Sequence, residues 1–162
     1  MTQHMSTVLD YIGRLNDYNV FRQTKKPGAT QQLELALVSD TDAGQICTGI
    51  HKLMQRFLLI LLLKRGSLTY DMNRGTTFML DAERGYWNTA AAVRTSFTTA
   101  TDSARRQLKS EQQTTDPSDE IFAAVELNEV LLGDGRVSLT MTLTSEAGSN
   151  YTFIAPINLT VR

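Results

Sequence analysis

The run Phe57-Leu-Leu-Ile-Leu-Leu-Leu63 constrains the fold of this chain more than any other feature. It closes a stretch in which Ile46, Ile50, Leu53, Met54 and Phe57 recur at helical spacing. The first part predicts an amphipathic helix starting near Ile46. The last two turns are apolar all round and predict a helix end buried on every side. Seven apolar residues fall far short of the roughly 20 that cross a bilayer. The cover must therefore come from the rest of the chain. Lys64 and Arg65 follow the run, where cations complement a helix C-terminus, and Gly66 is placed to cap it.

With 162 residues, the chain fits a single domain with an appendage. Residues 6–17 put Val8, Leu9, Ile12 and Leu15 on one helical stripe, with Ser6 as its cap. "KKPGAT" then marks a turn, and "QQLELALVSD" alternates like a half-buried strand. "TTFMLDAERGYW", from Thr76 to Trp87, has no clear period. Asn88 to Gln113 predicts a long helix opened by Asn88 or Thr89. Its thin apolar face, Ala91, Val93, Phe97, Ala100, Ala104 and Leu108, lays it on the surface of a core. "TTDPSD" breaks the chain. "IFAAVELNEVLL", "RVSLTMTLTS" and "YTFIAPINLTVR" follow as strands joined by glycine-bearing turns, a meander. Pro156 within the last run predicts an edge or bulged strand there. The expected fold is α+β: a buried helix and a surface helix packed on a small antiparallel or mixed sheet with a C-terminal β-meander. Residues 1–30 form an extension with a short amphipathic helix, and residues 31–162 form the domain.

Charge and motifs point away from several functions. The formal net charge is -1, so no single-sign field draws in phosphate backbones or anionic lipid; no nucleic acid and no membrane partner is expected. The single cysteine, Cys47, rules out an internal disulfide and fits a reducing cytoplasm, and the start of the sequence lacks the pattern of a signal peptide. Asp71-x-Asn73-x-Gly75 resembles the opening of a calcium loop, yet the sixth and twelfth positions are Thr76 and Ala82 instead of glycine and glutamate. Cys47 and His51 lie at i, i+4 of the expected helix, but the only other histidine is His4, too few ligands for zinc. Asp71, Asp81, Glu83, Glu120 and Glu126 are candidates for a glycosidase acid pair, a choice that 17 acidic residues always permit. No metal, cofactor or catalytic residue is assigned.

The order of parts says more. An alternating strand leads to the buried helix, then to the loop Arg65-Gly66-Ser67…Tyr70-Asp71…Gly75-Thr76, a surface helix, and strands reading "GRVSLTMTLTSEAGSNYTFIAPINL". Over roughly residues 31 to 162 this resembles the GPW-like baseplate wedge, or sheath-initiator, family of contractile phage tails. That family often carries a Glu-Pro-Arg motif before its final strands; the comparable "DPSDEIF", Asp116 to Phe122, keeps acids but has no arginine. The resemblance implies a non-enzymatic part, made in the host cytoplasm and ending in the virion tail baseplate. Six copies would surround the tail tube and template the first sheath ring. Its implied partners are the tail sheath protein, other baseplate wedge and hub proteins, and the tail-tube initiator. The implied contact is strand addition through an exposed edge formed by Tyr151, Thr152, Phe153, Ile154, Ile157, Asn158, Leu159, Thr160 and Val161. Arg65, Gly66, Tyr70, Asp71, Arg74 and Gly75 would form a structural joint. The equivalent part of a type VI secretion system or another contractile injection machine fits the same resemblance. An older family label, "lysozyme-like", adds a peptidoglycan muramidase, and a generic oligomeric adaptor is a further alternative.

Overall fold

A computed structural model describes residues 17–18, 21–24, 32–35, 46–133 and 135–159. The elements in order are β1 (Asp17–Tyr18), β2 (Phe21–Thr24), β3 (Gln32–Leu35), β4 (Ile46–Cys47), α1 (Gly49–Leu62), α2 (Phe78–Glu83), α3 (Ala90–Glu111), β5 (Phe122–Gly133), β6 (Arg136–Ser145) and β7 (Asn150–Asn158). The fold is α+β, as its sequence predicts. α1 packs on β6 and β7, α3 packs on β5 and against α1, and the core lies between the helices and the sheet.

The C-terminal meander follows directly from alternation. Val137, Leu139, Met141 and Leu143 of β6 point inward and are fully buried, while Ser138, Thr140, Thr142 and Thr144 line the outer face. Gly133 pairs with Arg136, and Gly135 takes φ 71, so the glycine-bearing turn makes a tight hairpin. Phe153, Ala155 and Ile157 of β7 complete the inner face. On the helical side, Thr89 opens α3 by accepting the Ala92 N–H at 3.1 Å. Val93, Phe97, Ala100, Ala104 and Leu108 are buried as expected, but Ala91 faces out.

The apolar helix departs from its sequence reading at both ends. Ile46 and Cys47 form β4, paired with β1, and the helix begins only at Gly49. At the other end α1 stops at Leu62, because Leu63 is extended (ψ 122). Gly66 therefore does not cap it, and Lys64 and Arg65 lie beyond its last turn. Thr76 returns along the chain and takes over the helix carbonyls: its N–H donates to Leu63 O at 2.8 Å and its hydroxyl to Leu61 O at 2.7 Å. Nor is the last turn buried all round. Leu59 is 47 % exposed, since sheet and helices cover the other sides but not this one.

At the N-terminal side, Asp17 lies in strand β1 and not at the end of a helix; the rest of the helix expected over 6–17 falls outside the described residues. β2 and β3 pair antiparallel and join the main sheet, whose order is β2-β3-β7-β6-β5. Positions 21–24, assigned by sequence to an extension, thus share a sheet with the domain. The strand expected over residues 31–40 is β3 at 32–35, the remainder lying outside the described residues.

Candidate functional site

The glycine-marked loop is a closed structure built on α1. Lys64 and Thr76 form a parallel bridge, with Arg65 N–H donating to Thr76 O at 2.9 Å. Asp71 organises the tip: its Oδ1 accepts the Asn73 N–H (3.2 Å), its carbonyl the Arg74 N–H (3.2 Å). Arg65 Nη2 reaches Asn73 Oδ1 at 3.3 Å. Arg74 Nη1 contacts Glu111 Oε1 at 2.7 Å, and Arg56 of α1 approaches the same carboxylate at 3.6 Å. Gly75 is the pinned point. The Gln107 amide of α3 accepts its N–H at 2.9 Å and donates to its carbonyl at 2.8 Å, as a neighbouring strand would. Gly66 and Tyr70 stand on the outside, Tyr70 84 % exposed, with Met72, also exposed, two residues on. The loop's polar side chains tie α1 to α3 and leave an aromatic tip in solvent.

A second cluster surrounds the start of α1. Glu120, buried in the turn that precedes β5, accepts the Gly49 N–H through Oε1 (3.0 Å) and contacts Lys52 Nζ through Oε2 (2.6 Å). One carboxylate thus caps the helix and neutralises a buried lysine. Cys47 is buried beside this cluster. Desolvation, then the Asp17 carboxylate, push its thiol from 9.0 up to about 11. It stays protonated at neutral pH and is not a nucleophile in waiting. Cys47 belongs to β4 while His51 belongs to α1, so they do not share a helix face; His51 packs edge-on against Tyr151, with ring centroids 4.7 Å apart. Of the other candidate acids, Asp81 accepts from Ser96 Oγ (2.6 Å) and Glu83 binds Lys64 (2.6 Å), while Glu126 stands exposed on β5. Among the described residues, no group of three His, Cys, Asp or Glu side chains converges as a metal site.

The sheet edges differ from the sequence expectation. β7 is not an edge: it lies between β6 and β3. Its pairing with β6 is unbroken from Arg136↔Asn158 to Thr144↔Asn150, whereas among the described residues it meets β3 in register at Gln32↔Ile154 only. Phe153 and Ile157 are core residues, Tyr151, Ile154 and Leu159 are half-buried, and Thr152 and Asn158 are exposed. Thr160 and Val161 lie outside the described residues. The described edge on the other side is β5, bulged at Ala123 and Asn128. Between it and α3 runs an open groove of about 500 Å³, with Phe97 and Phe122 at its base and Arg94, Asp102 and Arg105 at its rim.

Lys52, Gln107, Thr76 and Arg94 do not stand out in the sequence as structural partners. The available signal is weak: Lys52 falls within the buried face of an apolar helix, where a charge requires a partner. Comparison with family models, with curated proteins and with solved structures finds no match to this chain.

Proposed function

We propose that this chain is a structural component of a contractile tail baseplate that initiates sheath assembly, or its counterpart in another contractile injection machine. The sequence resemblance motivates the reading. The observation that carries it is the setting of β7, a strand paired antiparallel with β6 from Asn150 to Asn158 and flanked on its other side by the parallel strand β3. Parallel pairs are slightly less stable per residue than antiparallel ones, which makes β3 the more readily exchanged neighbour. A sheath strand replacing β3 would gain a long, preformed partner with main-chain hydrogen bonds. Strand addition through Tyr151–Val161 thus takes the form of exchange at an occupied strand and not of docking on a bare edge. The loop from Arg65 to Gly75 fits the role of a joint, since it fastens α1 to α3 beneath the sheet.

The test is a reversible lock. Gln32→Cys with Ile154→Cys, in a Cys47→Ser background, joins β3 to β7 when oxidised. Capture of the assembly's sheath protein is expected for the reduced form and lost for the oxidised one. Equal capture by both forms moves the interface away from β7. Capture by neither, including the unaltered chain, removes the sheath-initiator reading itself.

A further inference from the structure

Edge strands expose rows of unpaired N–H and C=O groups that invite pairing with another chain. Among the described residues β5, twelve residues long, is such an edge, and its two parts are protected differently. The first part is guarded. The stretch up to Asn128 carries both bulges, and Arg94 of α3 lays its guanidinium across consecutive carbonyls, Nη1 to Leu127 O at 2.8 Å and Nη2 to Asn128 O at 3.2 Å. Beyond Asn128 no such guard appears among the described residues, and Leu131 and Leu132 are 55 % and 42 % exposed on opposite faces of the strand.

We propose that Glu129–Gly133 is a self-association edge, pairing antiparallel with the same segment of a second copy about a two-fold axis at Leu131. The register follows from the faces. Leu132 pairs with buried Val137, so Val130 and Leu132 lie on the inner face, while Glu129, Leu131 and Gly133 lie on the outer. Centring on Leu131 sets Leu131 against its own copy and Val130 against Leu132 of the second copy, each on its proper face. It also sets Glu129 opposite Gly133 of the second copy, which has no side chain to obstruct it. One strand further, on the same outer face, stands Arg136, the partner of Gly133 in the hairpin. Two strand spacings separate Glu129 from that arginine by about 10 Å between Cα atoms, within the joint reach of the two side chains. Both groups are exposed, and neither has an ion-pair partner among the described residues. The two-fold axis repeats this pair, so the contact is isologous and closed.

Registers slid toward the start of β5 are disfavoured. Sliding toward the N-terminal half brings Glu126 toward Glu129 of the second copy and drives the incoming strand into Arg94. The overlap is only five residues long on each chain, far below the roughly 800 Å² per partner of a standard interface. The dimer is therefore weak and concentration-dependent. This inference goes beyond the baseplate reading and does not depend on it.

Sedimentation across a concentration series tests it. The unaltered chain is expected to dimerise. Glu129→Arg or Arg136→Glu should each raise the dissociation constant about fivefold through two lost cross-strand pairs, and the double exchange should restore it. Independently, Leu131→Cys in a Cys47→Ala background should give a disulfide-linked dimer on mild oxidation, while Glu126→Cys should not. A chain that stays monomeric at its highest soluble concentration overturns the proposal. So does a dimer indifferent to the charge exchanges, or equal cross-linking at 126 and 131.

Discussion

Replacing Gly75 by alanine isolates what holds the loop to the fold. Gly75 sits at φ +93, and a Cβ there would lie 2.3 Å from Leu63 O, 2.9 Å from Leu63 C and 3.1 Å from Leu63 Cγ. A left-handed backbone costs an alanine about 1–2 kcal/mol. The close approach to main chain adds an overpacking penalty of about 1–3 kcal/mol, because Leu63 O is held by the Thr76 N–H at 2.8 Å and cannot simply move aside. Moving it would also disturb the Gln107 contacts to Gly75. The expected loss is about 2–5 kcal/mol, a large share of the roughly 5–15 kcal/mol that holds a domain folded. Gly66 provides the control. It has φ +82 with nothing within 4 Å of its Cβ position, so Gly66→Ala pays the backbone cost alone. Urea unfolding of both variants reads the difference directly, and thermal midpoints should separate by about 2–12 °C, from an overpacking difference of about 1–3 kcal/mol at roughly 2–4 °C per kcal/mol for a chain of this size. Equal destabilisation of the two variants would refute the account, because it would mean that the clash with Leu63 carries no weight.

Two further outcomes follow from the cluster at the start of α1. Lys52→Met removes the buried ammonium that Glu120 Oε2 contacts at 2.6 Å and should destabilise the chain in urea unfolding, whereas Lys52→Met combined with Glu120→Gln should recover part of that loss. The Cys47 thiol, with a folded value of about 11 against an ordinary 9.0, binds its proton more tightly in the folded chain. The stability it contributes is therefore complete below about pH 9 and is lost as pH rises toward 11, by up to about 3 kcal/mol. Cys47→Ala should flatten that alkaline decline, and the native thiol should react with a disulfide reagent at pH 8 far more slowly than the urea-unfolded one.

Much of the fold is legible in the sequence because it follows from short periods. The alternation from Val137 to Leu143 fixes which face of β6 is buried, the stripe from Val93 to Leu108 fixes the inner face of α3, and Thr89 marks where that helix begins. Each of these is a property of one element and its neighbours along the chain. The candidate site is not of this kind. Gly49 and Lys52 meet Glu120 across sequence separations of 71 and 68 residues, and Gly75 meets Gln107 across 32. Periodicity tells which face of a strand is apolar but not which strand lies beside it. Pro156 therefore suggests an edge, while the tertiary fold places β7 between β6 and β3 and leaves β5 outermost. Likewise Gly66 looks like the cap of α1 until Thr76 returns to occupy the helix carbonyls. Hydrogen bonds between distant segments decide these points, and a backbone donor or acceptor carries no mark in the sequence of the partner it will find.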